Sequence, residues 1–122
     1  MSRRTSIYFD GGLRPAGMEI AVVLRGEATI VRDLGPGTSM TAEWLALLMA
    51  IRTAHATGLH DFVALGDAAA VVAQANGRVR IPAAHCSHAE ELRALLAGGA
   101  VRIRYLKRSQ NLAGIALARG DR

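Results

Sequence analysis

The sequence predicts an α/β fold: a five-stranded mixed sheet, three antiparallel strands followed by two parallel ones, flanked by about four helices. Three observations predict it. Apolar stretches with strand-like alternation crowd into residues 7–32, joined by connections too short for a crossover helix. From Thr41 onward, strand-like and helix-like patterns alternate, as parallel strands require. The 122 residues, 51% apolar and 20% charged, suffice for one core and not for two, so residues 1–122 read as a single domain.

The first strand is Ile7-Tyr8-Phe9-Asp10, with Ile7 and Phe9 on one face and Tyr8 on the other. Gly11 to Gly17 reads as a turn punctuated by Pro15. Residues 18–24 and 28–32, separated by Arg25-Gly26-Glu27, complete a meander. Leu34-Gly35-Pro36-Gly37-Thr38-Ser39 breaks the pattern and offers hydroxyls as helix caps. A helix over 41–55 follows, with Trp44, Leu47, Leu48 and Ile51 at core spacing and Gly58 after its end. Residues 62–65 form the fourth strand, and 68–75 an alanine-rich helix stopped by Asn76-Gly77. After a connector over 78–84, the capping-box pattern Ser87-His88-Ala89-Glu90 opens a helix to about 96. Val101, Ile103 and Tyr105 alternate with arginines in a last strand, and a closing helix spans about 111–119.

The net charge of +5 comes from fourteen arginines and one lysine, Lys107, against ten acids. Arginine's planar fork suits bidentate phosphate contacts, so an anionic polymer is a natural partner. No apolar run approaches the roughly 18 residues of a membrane span, and Met1-Ser2-Arg3-Arg4 leads straight into a strand rather than a signal-peptide core. A cytoplasmic protein with no membrane partner is expected, and a monomer. The single cysteine, Cys86, excludes an intrachain disulfide and has no zinc-site spacing around it.

Three of the ten acids stand in unusual company. Asp10 ends an apolar strand, Glu43 sits inside an apolar helix pattern, and Asp67 follows Phe62-Val63-Ala64-Leu65-Gly66. A lone ionised carboxylate in such places is costly, so each needs a positive partner. The strand Ile7-Tyr8-Phe9-Asp10-Gly11-Gly12, the helix start from Thr38 to Glu43, the strand end Leu65-Gly66-Asp67 and the run Tyr105-Leu106-Lys107-Arg108-Ser109-Gln110-Asn111 resemble type 1 ribonuclease H. The resemblance covers nearly the whole chain, with all four segments in that family's order.

What the resemblance implies is a ribonuclease H-like fold and a metal-dependent endonuclease that hydrolyses the RNA strand of RNA/DNA hybrids with two ions, magnesium or manganese. Asp10 would bridge both ions, while Glu43 and Asp67 would hold the one at the leaving group. The backbone amides of Gly11 and Gly12, and Thr38 in a phosphate pocket, would touch substrate. The family's fourth aspartate falls on Ile115, one helical turn after Asn111. Asn111 is therefore either a neutral fourth metal ligand, completing an Asp-Glu-Asp-Asn set, or a helix cap. Two alternatives stand beside the nuclease: a catalytically weakened hybrid-binding module, and a metal-dependent hydrolase of another nucleic acid on the same fold.

Overall fold

The computed structural model describes residues 4–97 and 100–119. The opening residues 1–3 and the tail acid Asp121 lie outside them. Five strands and four helices follow in the order β1 (Thr5–Arg14), β2 (Gly17–Leu24), β3 (Glu27–Val31), α1 (Ser39–Ala56), β4 (Asp61–Gly66), α2 (Ala69–Ala75), α3 (Cys86–Leu96), β5 (Ala100–Tyr105) and α4 (Leu112–Arg119). The sheet order is β3-β2-β1-β4-β5, with β1–β2 and β2–β3 antiparallel and β1–β4 and β4–β5 parallel. This is the five-stranded mixed sheet the sequence predicts. Among the described residues, no helix is long and apolar enough to cross a membrane.

Alternation along the strands sends apolar residues to two faces. On one, Ile7, Phe9, Ile20, Val22 and Leu24 pack with Trp44, Leu47, Leu48 and Ile51 of α1, and with Phe62, Val71 and Ile103. On the other, Ala21 and Val23 meet Ala113 and Leu117 of α4, with Tyr8 and Ile30 at the margin. β2 is consequently buried along its whole length, reading as a continuous apolar run rather than an alternation. One acid lies within it: Glu19 is 5% exposed and held by ion pairs with Arg14 and Arg32, the pairing that burial demands. Trp44, fully buried, donates its indole N–H to Gln74 Oε1 at 3.0 Å and stacks against His85 and His88.

Most boundaries fall within two residues of the sequence reading, and two differences have a structural cause. β1 does not end at Asp10: it continues to Arg14, with Gly11 opposite Ile20 and Gly12 opposite Glu19. The expected turn shrinks to Pro15-Ala16, because β2 supplies pairing that two glycines would not predict locally. The helix opened by Ser87 starts earlier, at Cys86, straight from a 3-10 turn at Ala83–His85, and makes no side-chain cap. Ser87 and Glu90 lie inside that helix.

Candidate active site

β1 and β4 pair in parallel from Thr5↔Phe62 to Tyr8↔Leu65 and then part. β1 runs on against β2, whereas β4 ends at Gly66, so a crevice opens at the carboxyl end of β4, where the chain leaves in opposite directions. That is the position at which α/β sheets bind ligands. Asp10 and Asp67 each lie two residues past the last β1–β4 pair, one on either side of the crevice.

α1 brings the third acid. Thr38 caps the helix, its Oγ1 accepting from Thr41 N–H at 3.0 Å. Glu43 then lies over β1. The approach is close because Gly11 has no side chain: a Cβ there would come within 2.3 Å of the Ala42 carbonyl carbon and oxygen. The contact lets Gly11 N–H donate to Glu43 Oε1 at 2.8 Å. One carboxylate oxygen from each of Asp10, Glu43 and Asp67 lies within 4.8 Å of the others.

Burial and neighbouring carboxylates in this crevice raise the cost of ionising Asp10 and Glu43. Asp10 is pushed up to about 6, first by burial and then by the charge of Asp67, with Arg108 and the Gly11 N–H pulling the other way. Glu43 is pushed up to about 8 by burial and by Asp10, against the Gly11 hydrogen bond and Arg108. Arg108, in the 3-10 turn after β5, is the cation that faces both acids. The sequence alone assigns it no role; its place three residues before Asn111 is the signal that could have found it.

Asn111 is fully buried between β1 and α4. Its Nδ2 donates to the Phe9 carbonyl at 3.0 Å and to Asp67 Oδ2 at 3.3 Å. Its Oδ1 accepts from Ala113 N–H at 3.1 Å, capping α4. Next along α4, a Cβ on Gly114 would lie 3.3 Å from Asp10 Oδ2. Ile115 and Arg108 join Asp10, Gly11, Gly12, Glu43 and Asp67 around a cavity of 520 Å³. Thr38 stands at the α1 N-terminus beside Ser39, which lines that cavity.

Residues 16–120 match the model of a family described as reverse transcriptase-like. The chain belongs to that family. A ribonuclease H1 from the halophilic archaeon Halobacterium salinarum NRC-1 is 29% identical and superposes with a TM-score of 0.80, over 98% of this chain and all of that one. Its likeness makes this reverse transcriptase-like chain a ribonuclease HI-like enzyme, in agreement with the sequence motifs. The fold recurs at 20% identity in the N-terminal RNase H domain of a Mycobacterium tuberculosis protein, with a TM-score of 0.73 over 99% of this chain and all of that one. It recurs again in LC11-RNase H1, isolated from compost by a metagenomic approach. That protein, solved in complex with an RNA/DNA hybrid, is 19% identical with a TM-score of 0.75 over 93% of each chain. No curated protein sequence matches this chain.

Proposed function

We propose that this protein is a metal-dependent endonuclease that hydrolyses the RNA strand of RNA/DNA hybrids, with Asp10, Glu43 and Asp67 holding two magnesium or manganese ions. The observation that carries the reading is the convergence of these three carboxylates at the end of the β1–β4 pairing, in a fold whose 29%-identical neighbour is a ribonuclease H1. The donor set fits hard divalent cations, being all oxygen. Burial and mutual repulsion fit them too, since Asp10 and Glu43 are held above their ordinary pKa values with Arg108 the one opposing cation among the described residues. A divalent pair at such a site supplies charge stabilisation for an in-line displacement and lowers the pKa of the attacking water.

The chain's own residues do the positioning. Asp10 shares one carboxylate cluster with Asp67 and Glu43 and has α4 close by at Gly114. The Gly11 N–H fixes the Glu43 carboxylate in one orientation. Asn111 orients Asp67 through its amide N–H while its oxygen is engaged by the α4 cap. We therefore read Asn111 as a positioning residue, not as a fourth ligand. Arg108, facing the acids from across the cavity, meets the phosphate and stabilises charge that builds on it. The hybrid is recognised through shape and 2′-hydroxyls rather than base sequence.

One observation favours a second reading. Ile115 lines the cavity where the family spacing calls for a carboxylate, which suits a weakened enzyme that chiefly binds hybrids. Labelled RNA/DNA hybrid, duplex DNA and duplex RNA incubated with the protein in magnesium and in manganese separate the readings. Cleavage of the RNA strand of the hybrid alone is the expected result. Tight hybrid binding with no product in either metal selects the binding module, and cleavage confined to another duplex rejects both.

A further inference from the structure

A second concave surface, of 610 Å³, runs along β5, an edge strand of the sheet. Asn76, Arg78, Arg102, Arg104 and Tyr105 are among its lining, and no carboxylate is. Arg78, Arg102 and Arg104 are all exposed, and none makes an ion pair with a described carboxylate. Three unneutralised guanidiniums in one groove form a site for a polyanion.

The register says how such a partner would lie. Arg102 is opposite Val63 and Arg104 opposite Leu65, so both project from the sheet face that α4 covers only over β1 to β3. They are two residues apart, about 6.6 Å along the strand, a spacing that suits successive phosphates. Tyr105, 54% exposed, is opposite Gly66, the residue before Asp67. The groove therefore begins beside the carboxylate crevice and leads away from it. A peptide adding to the sheet edge does not fit, because Asn76 Nδ2 already donates to the Ile103 carbonyl at 2.9 Å.

We propose that the β5 groove is a second nucleic-acid contact, in which Arg78, Arg102 and Arg104 bind the phosphodiester backbone of the hybrid outside the cleavage crevice and Tyr105 packs against the nucleotide at its entrance. The inference rests on the nucleic-acid reading above. It makes binding depend on length: a hybrid must extend past the crevice to reach β5.

The test compares wild type with Arg78→Gln/Arg102→Gln/Arg104→Gln, in the full chain. Binding of labelled hybrids of roughly 20 and roughly 6 base pairs, the latter about 20 Å long at 3.4 Å per step, is followed by anisotropy in EDTA over a salt series. For the long hybrid the slope of log affinity against log salt should shrink by about 2 to 3, at roughly 0.7 to 0.9 for each phosphate no longer neutralised. The short hybrid should be unaffected. Replacing the same three arginines with lysine should restore the slope. In metal, KM for the long hybrid should rise with kcat unchanged.

An unchanged slope, or equal weakening of both hybrids, overturns the proposal. So does competition by polyglutamate as effective as that by DNA, which would make the groove a site for an acidic protein. If wild type binds with the predicted length and arginine dependence but cleaves nothing, the groove stands and the nuclease reading falls.

Discussion

Asp10, Asn111 and Ile115 carry the sharpest tests of the site. Asp10→Asn keeps the side-chain volume and removes one of the three clustered charges, so turnover should be lost while the chain stays folded. Hybrid binding in EDTA should hold or improve as a negative charge leaves the phosphate path. Wild-type turnover would remove Asp10 from the chemistry. Asn111→Asp discriminates ligand from positioning residue. A ligand would bind metal more tightly as aspartate. The hydrogen bonds point the other way: aspartate cannot donate to the Phe9 carbonyl, and it sets a second charge beside Asp67. A loss of about 1–3 kcal/mol of stability is expected, with no gain in metal affinity by calorimetry. Ile115→Asp, at a site 38% exposed and on the cavity wall, should by contrast be tolerated and lower the magnesium concentration needed for half-maximal activity. The three acids and the oddity at Ile115 are legible in the sequence because each stands in a recognisable local pattern: Asp10 between an apolar strand and two glycines, Glu43 within an apolar helix stripe, Asp67 after an apolar strand, and Ile115 one helical turn after Asn111. For Asn111 the sequence offers the helix cap only as one of two readings; what it does not contain is the sharing of this buried side chain, oxygen to the start of α4 and amide N–H to Phe9 and Asp67.

Among the elements, β1 and α1 depend on one another at Gly11. A Cβ there meets the backbone of α1 rather than the end of a flexible side chain. Gly11→Ala must therefore push the helix off the sheet, at a cost of about 1–3 kcal/mol by overpacking. It should also stretch the Gly11–Glu43 hydrogen bond, so urea midpoint and metal affinity should fall together. A drop in stability alone would mean that the helix shift spares Glu43. The order of strands and helices is readable because period-two and helical patterns are local. Gly11 and Gly12 read as a turn because what holds them extended is pairing with Ile20 and Glu19, a contact that no window around the glycines contains. Ser87 and Glu90 have the spacing of a cap, yet the 3-10 turn before them has already begun the helix.

For the whole molecule, the carboxylate crevice ties stability to pH and, on the proposed metal reading, to divalent ions. Asp10 and Glu43 have folded pKa values of about 6 and about 8, above their ordinary 3.8 and 4.5. Groups raised in this sense contribute stability that is fully present below about pH 4 and is lost as pH climbs through 6 and then 8. In EDTA, the denaturant midpoint should fall over that range. Magnesium or manganese should restore it most at the alkaline end, where the unpaired charges are greatest. Glu43→Gln should flatten the upper part of the metal-free profile; a profile as steep as wild type would mean that Glu43 is not the group responsible. The alternating order of the chain foretells this architecture and its basic balance an anionic partner, but Arg108 and the β5 groove come only with the fold, which sets residues distant in sequence around common surfaces.

Trp44, the sole tryptophan, gives the molecule an optical signal of its own. Sealed in the core, bonded to Gln74 and lying against two imidazoles, its indole should emit at short wavelength in the native state and move to the red when α1, α2 and α3 separate. Because the chromophore belongs to the same helix as Glu43 but not to the crevice, a substitution that only alters chemistry should leave the emission maximum where it is. One that shifts the helix should move it, so a single spectrum tells an inactive variant from an unfolded one.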